Sequence, residues 1–116
     1  MAGESTGATG ATQLRKGVLE LAILALLEQE PAYGGQIVAA LAAHPGLDSG
    51  AGTVYPILTR LAKAGLLATK WQESPVGPPR KYYRLTANGR DALTAQRAAW
   101  TAMSSALNSL LGGIDA

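Results

Sequence analysis

The apolar residues of this chain keep a helical spacing from Leu14 to Leu61 and then switch abruptly to alternation by two. That single change of period constrains the fold more than any other feature. It demands helices first, a small sheet second, and a core shared between them. Leu14, Val18, Leu21, Ala22, Ala25 and Leu26 form one stripe, and Leu19, Ile23, Leu24 and Leu27 widen it. A helix apolar nearly all round is a central one, buried on more than one side. Pro31 stops it. A second helix is expected from the spacing of Tyr33, Ile37, Val38 and Leu41, closed by His44-Pro45-Gly46. Ser49 is a candidate cap for a third, whose inner face is Val54, Ile57, Leu58 and Leu61. Pro56 is tolerable there only near the start, where few backbone bonds are lost, and Gly65 supplies a left-handed stop.

The alternating runs are Leu67, Thr69, Trp71 and Lys81, Tyr83, Leu85, separated by Ser74-Pro75-Val76-Gly77-Pro78-Pro79. They read as a β-hairpin with a long tip that should project and move. Tyr82 and Tyr83 fall on opposite faces, so one is expected in the core. Trp71 is expected to pack the hairpin onto a helix, and Tyr33 with Gly34 to anchor the second helix. Thr86 can cap a last helix, although Gly89 stands where a capping box needs Glu. In that helix Leu93, Trp100, Leu107 and Ile114 recur every seven residues, with Met103 and Leu110 in the companion row and Gln96 completing it. Such a seam needs a partner helix, and the expected partner is the same helix of a second copy. The whole is α+β but mainly α. Residues 1–12 are expected as a disordered tail, 13–86 as the main domain and 87–116 as a dimerisation helix.

Composition removes much of chemistry. The chain has no cysteine and one histidine, His44, which excludes disulfides, thiolate catalysis, sulfur-ligated zinc and histidine-based triads. The carboxylates are scattered singly, so no acid–base pair is assembled and an enzyme is not expected. No metal site or cofactor is expected, and His44 reads as loop surface. Residues 1–12 have neither a basic start nor an apolar run, and Val18 to Leu27 is interrupted by Glu20, so no signal or membrane span is expected and the location expected is cytoplasmic.

Charge is unevenly placed. The net charge is +2, yet residues 60–97 hold eight basic side chains against Glu73 and Asp91, while residues 1–59 hold two against five acids. A basic block of this kind is a candidate polyanion surface. Three helices followed by a hairpin is also the order of a winged helix-turn-helix, whose third helix enters the major groove of DNA. The candidate contacts on that helix are Gly52, Thr53, Tyr55, Thr59, Arg60 and Lys63, with Gly50 and Gly52 allowing close approach of backbone to phosphate. The hairpin adds Lys70, Arg80 and Lys81.

Several motifs in the right order resemble one family. Gly17-Val-Leu-Glu20, Ile23-Leu-Ala-Leu-Leu27, Tyr33-Gly34, Gly52-Thr-Val-Tyr-Pro-Ile-Leu-Thr-Arg-Leu61, Gly65-Leu-Leu67, Trp71, Arg80-Lys-Tyr-Tyr-Arg-Leu-Thr86, Gly89 and Trp100 are similar to the PadR-type transcriptional regulators, over about residues 14–103. The resemblance implies a homodimeric winged-helix repressor on a pseudo-palindromic operator, of the short kind with a single C-terminal dimerisation helix. It also implies that two copies of Trp100 can flank a cavity at the dimer axis, where a small planar aromatic effector would stack. Leu93, Trp100, Met103, Leu107 and Leu110 are the residues assigned to that interface. Two positions depart from the family pattern: Gly35 follows Tyr33-Gly34, and the tip Val76-Gly77-Pro78-Pro79 lacks the usual arginines. The neutral tip leaves one alternative, a winged-helix module that binds protein and does not read DNA.

Overall fold

The computed structural model describes residues 6–112. Its elements are α1 (Thr6–Gln29), β1 (Ala32–Tyr33), α2 (Gly34–Ala42), α3 (Ala51–Lys63), β2 (Leu67–Gln72), β3 (Arg80–Leu85) and α4 (Ala87–Leu110). The expected order of three helices, a hairpin and a long last helix is present. No helix among the described residues is long and apolar enough to cross a membrane.

α1 is the central helix, packed on α2, β3 and α4. Its buried side chains are Leu19, Ile23, Leu24 and Leu27, so the residues expected to widen the stripe are the ones that fill the core, and Leu14 is exposed. The helix starts at Thr6, well before Leu14. The tail expected over residues 1–12 is therefore helical from Thr6 onward, while residues 1–5 lie outside the described residues. Extending a helix already nucleated by buried turns fixes one residue per hydrogen bond, so weakly apolar sequence can follow it.

The sheet departs from expectation by one strand. Ala32 and Tyr33 pair antiparallel with Tyr83 and Tyr82, giving three strands in the order β1-β3-β2. Two residues are too few for a period to register in sequence, and Tyr33, whose spacing points to the second helix, instead precedes it. Its N–H donates to Gln36 Oε1 at 3.1 Å, which ties the strand to the first turn of α2. β2 and β3 pair from Leu67↔Leu85 to Gln72↔Arg80.

α3 buries Val54, Ile57, Leu58 and Leu61 as expected, but its N-cap is Gly50, not Ser49, and no side chain caps it. Gly65 ends the helix with φ +83°. Its N–H reaches Ala62 O and that of Leu66 reaches Leu61 O, each at 3.0 Å, which satisfies carbonyls that the helix end would leave open.

That helix end is also where α4 begins. Thr86 Oγ1 donates to Gly65 O at 2.7 Å and accepts from the Gly89 N–H at 3.0 Å, and the Thr86 N–H donates to Leu66 O at 3.1 Å. A Cβ on Gly89 would collide with the Leu66 carbonyl. The glycine therefore takes the place of a capping-box glutamate because backbone lies against it. α4 stops at Leu110, with Gly112 at φ +73°, short of the end at residue 116 that the heptad spacing suggested. Ile114 lies outside the described residues.

Candidate nucleic-acid interface

α3 has two sides of opposite character. Inward, four aliphatic side chains lock it into the core. Outward, Gly52, Thr53, Tyr55, Pro56, Thr59, Arg60 and Lys63 are all exposed. Gly50 brings no side-chain acceptor and its carbonyl takes the Thr53 N–H at 3.0 Å, so the Ala51 and Gly52 amides remain for water or a ligand, at the end of the helix that favours negative charge. Pro56 removes one more donor within the second turn and leaves the Gly52 carbonyl without its helical partner. Gly52, Thr53, Pro56 and Arg60 border one shallow groove.

The expected contact residues do not form one continuous set. Arg60 is held by Glu20 of α1 at 2.6 Å. A guanidinium expected to be free for phosphate thus has part of its charge met, although it keeps further donors. Lys63 lies in the last turn of α3, on its exposed side. Tyr55 turns away from the Gly52 groove toward α2, where its ring covers Gly34 so closely that a Cβ there would strike it.

The hairpin residues divide by register. Partners across an antiparallel pair share a face. Leu67, Thr69 and Trp71 therefore share one with Leu85, Tyr83 and Lys81, and Lys70 shares the other with Tyr82. Lys70 and Lys81, grouped together on sequence grounds, occupy opposite faces. Arg80 places its guanidinium carbon 4.4 Å from the centre of the Tyr33 ring, and Tyr33 meets Tyr82 edge-on at 5.4 Å. Tyr33, expected only as an anchor of the second helix, thus also belongs to the surroundings of the hairpin cations. Tyr83, not Tyr82, is the core tyrosine. Burial, with a smaller contribution from Tyr55, pushes its phenol above the usual value.

Trp71 overturns an expectation. Instead of packing hairpin to helix, it is 65% exposed. Alternation from Leu67 puts Trp71 on the core-facing side, but two residue pairs beyond the last buried layer, where the hairpin overhangs. Counting pairs outward from Leu67↔Leu85 would have found it.

This arrangement, a helix with a polar outer face flanked by a cationic hairpin, agrees with what comparison finds. The family model described as the transcriptional regulator PadR-like family matches residues 23–95. The chain belongs to the PadR-like family of transcriptional regulators. Among solved structures of PadR-like proteins, that of a transcription factor from Bacteroides fragilis is 43% identical, covering 85% of this chain and 95% of that one with a TM-score of 0.72. A PadR family regulator from Eggerthella lenta is 38% identical, covers 96% of both chains and gives 0.80. One from Bacillus cereus is 36% identical over 88% of this chain and 99% of that one, with 0.78. A search of the curated proteins returns no match. The PadR winged-helix architecture is thereby shown.

The second expected site of this PadR-like chain is on α4. Leu93, assigned to the interface between copies, is only 2% exposed and packs in the core of its own chain. A side chain already buried has no surface to give a partner. Farther along, Trp100 is 46% exposed and Met103, Leu107 and Leu110 are more so, joined by Leu111. Trp100 and Met103 also border a cleft of about 380 Å³ between α4 and α1, closed on the other side by Leu14, Val18 and Leu21.

Proposed function

We propose that this protein is a homodimeric transcriptional repressor that places α3 of each copy in the major groove of a pseudo-palindromic operator. The observation that carries this reading is the outer face of α3. It is exposed, small and hydroxylated, on a helix whose inner face is locked by four buried aliphatic residues. Small side chains let a helix approach base edges, and Thr53 and Thr59 carry hydroxyls to meet them, while Tyr55, turned toward Gly34, borders the same surface on the side of α2. Arg60, Lys63, Lys70, Arg80 and Lys81 supply charge for phosphates. Occupying an operator excludes other proteins without further chemistry, so repression is the action proposed.

Dimerisation is supported by the apolar row Trp100, Met103, Leu107, Leu110 on the outer half of α4, which the other described residues leave largely exposed, with α1 bordering only Trp100 and Met103. Two copies joined there would present α3 helices to successive major grooves, ~34–36 Å apart. An effector is proposed at Trp100: a small planar aromatic molecule stacked on the indole beside pliable Met103. It would release DNA by favouring a dimer geometry that no longer fits that spacing.

The test is a titration of duplex from the promoter upstream of the protein's own gene, against random duplex, across salt concentrations. The expected result is a preference for the promoter and a steep fall of log K with log salt, by roughly 0.9 per phosphate neutralised. No slope, or no preference, overturns the reading. For the effector, planar cationic dyes are expected to quench indole emission in the native protein and not in Trp100→Ala.

A further inference from the structure

Resting on the DNA-binding reading above, we infer that Trp71 is a DNA-contacting residue, its indole packing against deoxyribose while Lys81 and Arg80 hold the neighbouring phosphates of the same strand. The site is a cleft of about 350 Å³ between the start of α2, Tyr55 of α3 and the overhanging hairpin. Three observations converge on its occupant.

The first is the indole itself. A tryptophan 65% exposed leaves a large apolar face in water, which is unfavourable unless something covers it. None of the described residues does so, because Trp71 stands beyond the last core layer of the hairpin. The second is charge. The Lys81 Nζ lies 5.9 Å from the Trp71 ring centre and 5.8 Å from that of Tyr83, and Arg80 sits on Tyr33 at the same end of the hairpin. No carboxylate lines the cleft. Among the described residues the ion pairs are Arg60–Glu20 and Arg97–Glu28, so both cations of the cleft are unmatched. Flat apolar surface beside unpaired cations complements a chain in which sugars alternate with phosphates, and it does not suit a wholly apolar protein surface.

The third observation is continuity. Tyr55 borders the cleft and also belongs to the exposed side of α3. A duplex seated with α3 in its major groove would therefore bring the flanking strand to the hairpin. Gly34 keeps the cleft open: with any side chain there, Tyr55 would be pushed outward. The neutral hairpin tip between Glu73 and Pro79 has no part in this arrangement, because the contact comes from the last strand pairs before it, Trp71↔Lys81 and Gln72↔Arg80.

The experiment is a fluorescence-anisotropy titration of labelled promoter and random duplexes with wild type, Trp71→Ala, Trp71→Phe and Lys81→Ala, with thermal melts of each. Trp71→Ala is expected to weaken binding to both duplexes alike, by about tenfold, as for removal of one stacking aromatic. The salt slope should be unchanged, since no charge is lost, and so should the melting temperature. Trp71→Phe should recover most of the affinity. Lys81→Ala should lower the slope by about one. Wild-type affinity in Trp71→Ala, or a loss matched by a fall in melting temperature, overturns the inference and leaves the DNA-binding reading standing. Absence of salt-dependent binding by the wild type to any duplex overturns that reading and this inference with it.

Discussion

The two halves of α4 are one continuous helix in two different solvents. From Ala87 to Arg97 it is a part of the domain: Thr86 is hydrogen-bonded to the end of α3, Gly89 lies on the Leu66 carbonyl and Leu93 is in the core. From Ala98 to Leu110 the same apolar rows continue, yet Trp100, Met103, Leu107 and Leu110 face solvent. One heptad spacing thus serves two purposes. Its first turns complete a core within the chain, and its later turns are left for a second copy in the dimer proposed above. The difference teaches that a regular repeat reports where apolar residues point, not whose surface they meet.

The largest expected effect breaks the inner half. Leu93→Ala removes a fully enclosed side chain and should lower unfolding free energy by about 3–4 kcal/mol, as buried leucine truncations do. Urea unfolding at a protein concentration where the chain is dissociated is the measurement, and a loss under ~1 kcal/mol would place Leu93 outside the core. Gly89→Ala should follow at about 2–3 kcal/mol, because the obstacle is a backbone carbonyl that cannot rotate aside. Its effect should extend to DNA binding, since the Gly65–Thr86–Gly89 hydrogen bonds are where α4 grips the end of α3.

The outer half should respond in the opposite way. Leu107→Glu is expected to leave the melting temperature of the isolated chain within about 2–4 °C of the original, the shift of a surface change of this kind. Sedimentation at micromolar concentration should instead turn from dimer to monomer, and the affinity for a two-half-site duplex should fall by about 100-fold or more, since the two half-sites no longer bind as one. A variant that still sediments as a dimer would move the interface elsewhere.

What sequence made legible follows the same division. The helix-helix-helix-hairpin-helix order, the Gly65 stop, the Thr86 cap and the inner face of α3 could be read because each rests on local spacing or local backbone chemistry. β1 could not, because two residues carry no period and its pairing with Tyr82 and Tyr83 is set by contacts fifty residues away. Leu93 and Trp71 depart from the environment their spacing points to for a shared reason. Parity and heptad position fix the direction of a side chain, and only the packed structure fixes how far the neighbouring layer extends. The Glu20–Arg60 pair was hidden likewise, its partners being forty residues apart. The candidate DNA-facing residues of α3 were nameable from their polarity, whereas the division of Lys70 from Lys81 needed the strand register.

The smallest expected effect lies on the border between the two halves. Arg97 Nη2 donates to Glu28 Oε1 at 2.8 Å, joining the last domain-bound turn of α4 to the end of α1. Both side chains are about half exposed, so water and salt screen the pair, and Glu28→Gln should change stability by less than ~1 kcal/mol. What little it contributes should disappear on raising salt, because the interaction is Coulombic and near the surface. The informative comparison is with Leu93→Ala, whose loss should be indifferent to salt. If Glu28→Gln instead destabilised the chain by ~2 kcal/mol or more at both low and high salt, the border would be a buried, structural hinge. The boundary between self-packed and partner-directed turns would then lie further out along α4 than Arg97.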